Sequence, residues 1–325
     1  MNYALSLYVS SVCPIIGAQS LIGIATSLIP PSIAAVTLGI VGRQAFPKRV
    51  TINETFVHAG TVFTILTIGV LAQFFGHSWI VYGTMIFSAL SLIPLCFINP
   101  HEINHSVARE LPNELNDNSL QTKPISFLVL VKMSPLWIFF SSVIIFHFAN
   151  AAQLPLVGQE LAAFDPHKDS IYMASCIVIA QMMMVIVAYS LGFVINNIGR
   201  KPIYLFAFII LILRAALFSV IENSNLLLVI QLLDGMSAGI FGVLAVVMVS
   251  DLAVGTGRFN FLIGVLWLCL GIGSAMSNII AGYITKIYGF QMGFIFLACA
   301  AAVGFIIYMF LLPETRRNHS DAQGT

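Results

Sequence analysis

The chain has 325 residues, of which 59% are apolar and 8% charged, with a formal net charge of +1 and a mean hydropathy of +0.97. A soluble domain carries charge on about a quarter of its residues, so this composition excludes an ordinary soluble protein and indicates a polytopic membrane protein. With no basic stripe along the chain, nucleic acid is excluded as a partner.

Spanning the hydrocarbon core as a helix takes about 20 largely apolar residues. The apolar runs predict nine such helices, at 14–41, 55–75, 79–99, 126–149, 171–194, 202–221, 226–251, 260–285 and 289–312. Residues 3–13 are apolar too, but as a helix they reach only about 17 Å, the stub of a further helix. Met1-Asn2-Tyr3 lacks a basic n-region and Arg43 is the first charged side chain, which argues against a cleaved signal or a transit peptide. Cys13, Cys96, Cys176, Cys269 and Cys299 stand singly in apolar runs without ligand spacing, so they read as small buried side chains, and no metal or cofactor is expected.

The connections sort by charge. Arg43, Lys48, Arg49, Arg109, Lys123, Arg200, Lys201, Arg258, Arg316 and Arg317 fall after the first, third, fifth and seventh helices and in the tail, whereas the opposite side holds only Lys168 and Lys286. The positive-inside rule makes the basic side the cytoplasm. The expected setting is thus a cell inner (plasma) membrane, with central loop and C-terminus cytoplasmic and the N-terminal stub outside. Residues 100–123, with His101, Glu102, Arg109, Glu110, Glu114 and Asp117, read as a solvated linker.

Gly60, Gly69 and Gly76 recur as Gly273, Gly282 and Gly289 at an offset of 213, and Gln19 and Gly23 match Gln231 and Gly235 at 212. Asn99-Pro100-His101-Glu102 aligns with Leu312-Pro313-Glu314-Thr315 at the same 213. Such an offset describes a parallel repeat, a transporter architecture whose halves relate by an axis along the membrane normal. It divides the chain into an incomplete N-terminal half at 1–99, a linker at 100–125, a complete six-helix half at 126–313 and a tail at 314–325. The first half is short by about 85 to 90 residues against the second. The expectation is an N-terminally truncated chain that begins near the end of a third helix.

Gly192-Phe193-Val194-Ile195-Asn196-Asn197-Ile198-Gly199-Arg200-Lys201 lies between two apolar runs. Its spacing resembles the loop signature Gly-x-x-x-Asp-Arg-x-Gly-Arg-Lys of the major facilitator superfamily (MFS), with neutral Asn196 and Asn197 where the family has charge. Pro313-Glu314-Thr315-Arg316-Arg317 is similar to the sequence that ends the last helix of many members. The resemblance implies an all-α membrane protein, an MFS-type bundle in which the helices at 14–41, 126–149 and 226–251 line a central cavity. It also implies that the acid of the signature favours an outward-open state. Asn196 then makes a weaker latch, which Asn196→Asp should strengthen, shifting thiol accessibility toward the outward state.

Ionisable groups inside membrane helices are costly and point to function. Arg214 and Asp234 fall at similar depth on either side of a turn near Asn223, as a structural staple or as a protonatable or substrate-binding pair. His147 and Asn150 share a helix face, with Gln153 near it, before Pro155. These three, with Gln19, Gln231 and Gln181, are candidates for substrate contact or else hydrogen-bonded interior groups. Glu54 and His58 are i, i+4 at the start of the second helix, either as a helix-start cap and surface pair or as a gating and coupling pair.

No His-Glu-x-x-His, Gly-x-Ser-x-Gly or P-loop occurs, so the parts for metal hydrolysis, acyl transfer and ATP-driven pumping are missing. The reading is a secondary active transporter of a small solute in the lipid bilayer, working by alternating access with a coupling proton. The alternatives are a truncated non-transporting remnant or assembly partner and, less favoured, a membrane-embedded enzyme.

Overall fold

The computed structural model describes residues 12–76, 78–111, 124–164 and 169–316. Every regular element among them is a helix. The expected stub falls mostly outside the described residues, and Gln19 lies on a described helix with its side chain outside them.

The first element, α1 (Val12–Phe75), runs 64 residues but is broken at Gly42, whose φ of 74° and ψ of 167° are not helical. An L-residue with a Cβ rarely adopts that backbone, so glycine is what permits the turn. Asn53 donates to Thr37 Oγ1 at 3.3 Å across a separation of 16 residues. In one straight helix those positions stand about 24 Å apart, so the chain doubles back at Gly42 into arms 12–41 and 43–75. Residues 43–54, read from the sequence as a connection because of Arg43, Lys48 and Arg49, are helical. Pro47 lies inside this arm, one turn after the Gly42 break, where its missing amide leaves only the carbonyl of Arg43, the arm's first residue, without a helical partner.

Next come α2 (Ser78–Leu90), tight turns over Pro94–Phe97 and Pro100–Glu102, and one short turn of helix, α3 (His105–Ala108). The third expected helix is thus cut at Leu90. The fourth is broken as well, into α4 (Phe127–Lys132) and α5 (Ser134–Asn150), because Pro135 in the first turn of α5 cannot continue a helix begun before Met133. Part of the connection expected at 150–170 is α6 (Gln153–Phe164). Pro155, read from the sequence as ending or bending the helix, has no amide to offer the Ala151 carbonyl four residues earlier, and the helix ends at Asn150 and restarts at Gln153. The rest follow closely as α7 (Asp169–Val194), α8 (Arg200–Val220), α9 (Ser224–Ala253), α10 (Phe259–Tyr288) and α11 (Phe290–Leu311).

Among the described residues, eight stretches are long and apolar enough to cross a membrane. Nine were expected, and the difference is α1, whose two arms run on as one 56-residue stretch, Ser20–Phe75. The backbone repeats as the glycines do. Gly76 (φ 94°) and Gly289 (φ 87°) share a left-handed conformation, as do Gly42 (φ 74°) and Gly255 (φ 76°), each pair 213 residues apart.

The core lies among α5, α8 and α9, where Phe146 stacks on Phe241 with ring centroids 4.4 Å apart. Ser142 and Tyr204 hydroxyls meet there at 3.0 Å. α9 packs on α7 through Gly235 and Gly239, a small-x-x-x-small pair that lets membrane helices approach closely. A Cβ on Gly235 would overlap the Ala180 carbonyl. The second arm of α1 lies against α7, where Gly192 faces Thr51. It also reaches α10, where Phe46 meets Phe259 edge to face at 5.9 Å. The turn at Gly42, residues 103–111, the α7–α8 and α9–α10 turns and the tail after Leu311 gather at one end, with Arg43, Arg200, Arg258 and Arg316. We refer to it as the basic end.

Candidate functional site

Among the described residues, three polar clusters bring together the side chains that the sequence singles out. The first sits where α5 breaks into α6. Arg214 of α8 is fully buried and ion-paired to Asp234 of α9. Its Nε donates to Gln153 Oε1 at 2.7 Å, and its Nη1 donates also to Asn150 Oδ1 at 3.1 Å. Nη2 reaches the backbone carbonyl of Asn150 at 3.4 Å. A guanidinium suits this place because five donors in a rigid fork can serve a carboxylate, two amides and a helix C-terminal carbonyl together. Ser277 of α10 completes the break by accepting the Ala152 amide at 3.0 Å. Breaking a helix inside a bilayer frees backbone groups that must be satisfied internally; here Arg214, Gln153 and Ser277 satisfy them.

His147, three residues before Asn150, turns elsewhere. Its ring lies 4.7 Å from that of Phe241, its Cβ faces Gly273 of α10, and its Nδ1 is buried without a hydrogen bond among the described residues. Gln231, fully buried one turn before Asp234, faces Cys176 of α7.

The second cluster lies across the seam between α1 and the rest. His58 Nδ1 and Gln181 Oε1 are 2.7 Å apart, and His58 Nε2 lies 3.6 Å from Glu54 Oε2. Glu54 in turn faces Gly242 of α9, with 3.7 Å from its Oε2 to where a Cβ would stand. Glu54 was expected in the first turn of a helix starting at Thr51. Because α1 is helical from residue 43, it lies instead about three turns inside, against two other helices. A helix-start cap is therefore not its role.

The third cluster is the Gly192–Lys201 loop itself. Glu314 from the tail accepts the Arg200 amide at 2.7 Å and the Lys201 amide at 3.2 Å, a carboxylate on the N-terminus of α8. A Cβ at Gly199 would meet the Glu314 carboxylate, so a side chain there would have to push the carboxylate aside. Arg200 Nε donates to Asp251 Oδ2 at 3.1 Å, and the Thr315 hydroxyl donates to the same oxygen at 3.3 Å. Arg200 Nη1 also donates to the Ile195 carbonyl, and Arg316 to that of Asn197 at 2.6 Å. Asn196 is exposed. The sequence had pointed to Glu314 and Thr315 only as a tail motif and had not pointed to Asp251 or Thr51; the pairing of tail with loop left no local spacing to find.

Two overlapping matches to the Major Facilitator Superfamily, over residues 3–219 and 183–325, together take in nearly the whole chain. The chain belongs to the major facilitator superfamily. It is similar to two uncharacterized MFS-type transporters of Mycobacterium tuberculosis, from strains CDC 1551 and H37Rv. Each is 41% identical over 300 residues, 91% of this chain and 71% of the relative. As an MFS-type protein it is a multi-pass secondary transporter of small molecules in a lipid bilayer, and not an enzyme. Among MFS features, the loop with its two glycines and basic end is the one that the sequence located best, and its neutral Asn196 and Asn197 set it apart from the family's usual pattern.

Proposed function

We propose that this protein moves a small solute by alternating access coupled to protons, with the basic end in the cytoplasm of a cell that holds it in its inner membrane. The moving parts are residues 1–99 and 126–313, related by the repeat, with the tail as part of the second unit. The observation that carries the reading is the Glu54–His58–Gln181 cluster. It places a carboxyl and an imidazole where the two units meet, with Gly242 of α9 on the far side of Glu54. A group in that place senses both units, so loading it with a proton can favour one arrangement over the other.

The Arg214 cluster is the fixed part. With four acceptors around one guanidinium it acts as a staple that holds the α5–α6 break. Solute contact falls to His147 and Gln231, with Gln19 at the equivalent of Gln231 in the first unit. His147 packs on Phe241, the residue next to Gly242, so the solute and proton sites share α9. The test is flux in proteoliposomes over a panel of labelled sugars, amino acids and organic cations, with and without an imposed pH gradient. Gradient-dependent flux of one class is expected, and no flux of any class would remove the reading.

A further inference from the structure

The step from α4 to α5 leaves a hollow in the outer wall of the bundle. Met133 is extended between the two helices (φ −77°, ψ 96°), so α5 starts on a new axis, with α10 packed beside it. Between these elements lies a cavity of about 90 Å³. Leu136, Phe140 and Leu262 form its buried floor, and Phe127, Trp137 and Phe261 its exposed rim. An ordered water needs two to four polar partners, and every side chain lining this cavity is apolar. The indole N–H of Trp137 already donates to the Val131 carbonyl at 2.6 Å. Water is therefore a poor occupant and hydrocarbon a good one.

A positive charge is fixed at the mouth. Arg258, from the α9–α10 turn at the basic end, lays its guanidinium over the Phe127 ring, 4.2 Å from the centroid, and Phe127 meets Phe261 edge to face at 5.1 Å. Arg258 Nε donates to the Ile125 carbonyl at 3.1 Å, and the Ile125 amide donates to the Thr256 carbonyl at 3.0 Å. The turn and the approach to α4 thus hold each other, and Arg258 with them. Lys132, exposed, ends α4 next to Val131 of the cavity wall. Among the described residues, no carboxylate pairs with Arg258 or Lys132.

We propose that this cavity binds an anionic phospholipid of the bilayer, with one acyl chain in the hollow and the headgroup phosphate on Arg258 and Lys132. The apolar floor matches the chain, and the two cations match the phosphate. A guanidinium stacked on a ring keeps its edge donors for phosphate oxygens. A zwitterionic lipid offers the same chain, but its own cation offsets the attraction, so net charge sets the preference. The site needs no step of transport.

The test uses the full chain carrying Trp79→Phe and Trp267→Phe, which leaves Trp137 on the cavity rim as the one indole. It is reconstituted in vesicles of phosphatidylcholine and phosphatidylglycerol, with brominated chains on one lipid or the other, because bromine quenches an indole only at near contact. Brominated phosphatidylglycerol should be preferred at Trp137 by about 25-fold, from two basic residues at a factor of about five each. Arg258→Gln should cut the preference about fivefold, and Arg258→Lys should keep most of it. Val265→Phe, which fills the cavity and leaves both charges in place, should abolish it. Arg49→Gln, an exposed charge on α1 at the same end, should leave it unchanged. Equal quenching by the two lipids, a loss in Arg49→Gln equal to that in Arg258→Gln, no rescue by Arg258→Lys, or a preference that survives Val265→Phe overturns the site. Quenching by neither lipid means that protein covers the cavity, which overturns it as well.

Discussion

His58 of α1 and Gln181 of α7 lie 123 residues apart in sequence and share a hydrogen bond of 2.7 Å across the seam. It is a direct polar side-chain link between the two repeat-related parts of the chain, and Glu54 stands beside it at 3.6 Å. Removing one member leaves the other half-buried without its partner, at a cost of about 1–3 kcal/mol, whereas removing both can be nearly neutral. We therefore expect Gln181→Leu and His58→Leu each to lower the unfolding temperature in detergent, and the double variant to lose less than the sum. Additive losses would show that the two side chains act separately.

Arg214 and Asp234 pose a sharper case because both are buried. Stripping one partner from a buried pair costs about 3–5 kcal/mol, while replacing both with apolar groups of similar size is often tolerated. Arg214→Leu or Asp234→Leu should strongly destabilise, and the double variant should recover most of the loss. Arg214→Lys should not rescue, since one ammonium cannot reach Asp234, Gln153 and the Asn150 carbonyl together. Thermal unfolding of the four variants decides it.

Two glycines should respond in opposite ways to the same substitution. Gly235→Ala puts a methyl into the Ala180 carbonyl and Met183, so α9 must move off α7 and the protein should lose stability. Gly282 has open space around its Cβ position, and Gly282→Ala should raise stability by about 0.5–1 kcal/mol through helix propensity alone. Unfolding temperatures that move the same way for both would contradict the packing described.

Glu314 caps α8 from the tail. Glu314→Ala removes a charged acceptor from two amides and should cost about 1 kcal/mol or somewhat more. Glu314→Gln keeps one acceptor oxygen without the charge, and should fall between. An unfolding temperature unchanged in Glu314→Ala would mean that solvent serves the α8 amides equally well.

Most of the fold was legible because a membrane helix announces itself by the length of its apolar run, and α7 to α11 fall within a few residues of expectation. The misplacements share a cause. Arg43, Lys48 and Arg49 read as loop by charge, yet a helix can carry charges where it emerges at the basic end, so α1 starts its second arm early. The Arg214–Asp234 depth argument used helix geometry alone and needed no tertiary information. By contrast, Gln153, Glu314, Asp251 and Glu110 meet partners 51 to 114 residues away, and no local spacing encodes such pairings. Glu54 was misread as a helix-start residue for a related reason: its surroundings depend on where α1 begins.

The central claim is that Glu54 is the coupling group, and the most direct measurement compares accumulation with exchange in proteoliposomes for the solute that the wild-type protein moves. Glu54→Gln should abolish accumulation driven by an imposed pH gradient while preserving the swap of internal for external label, because the seam is kept and only the protonatable carboxyl is lost. Gradient-driven accumulation that persists in Glu54→Gln would contradict the account.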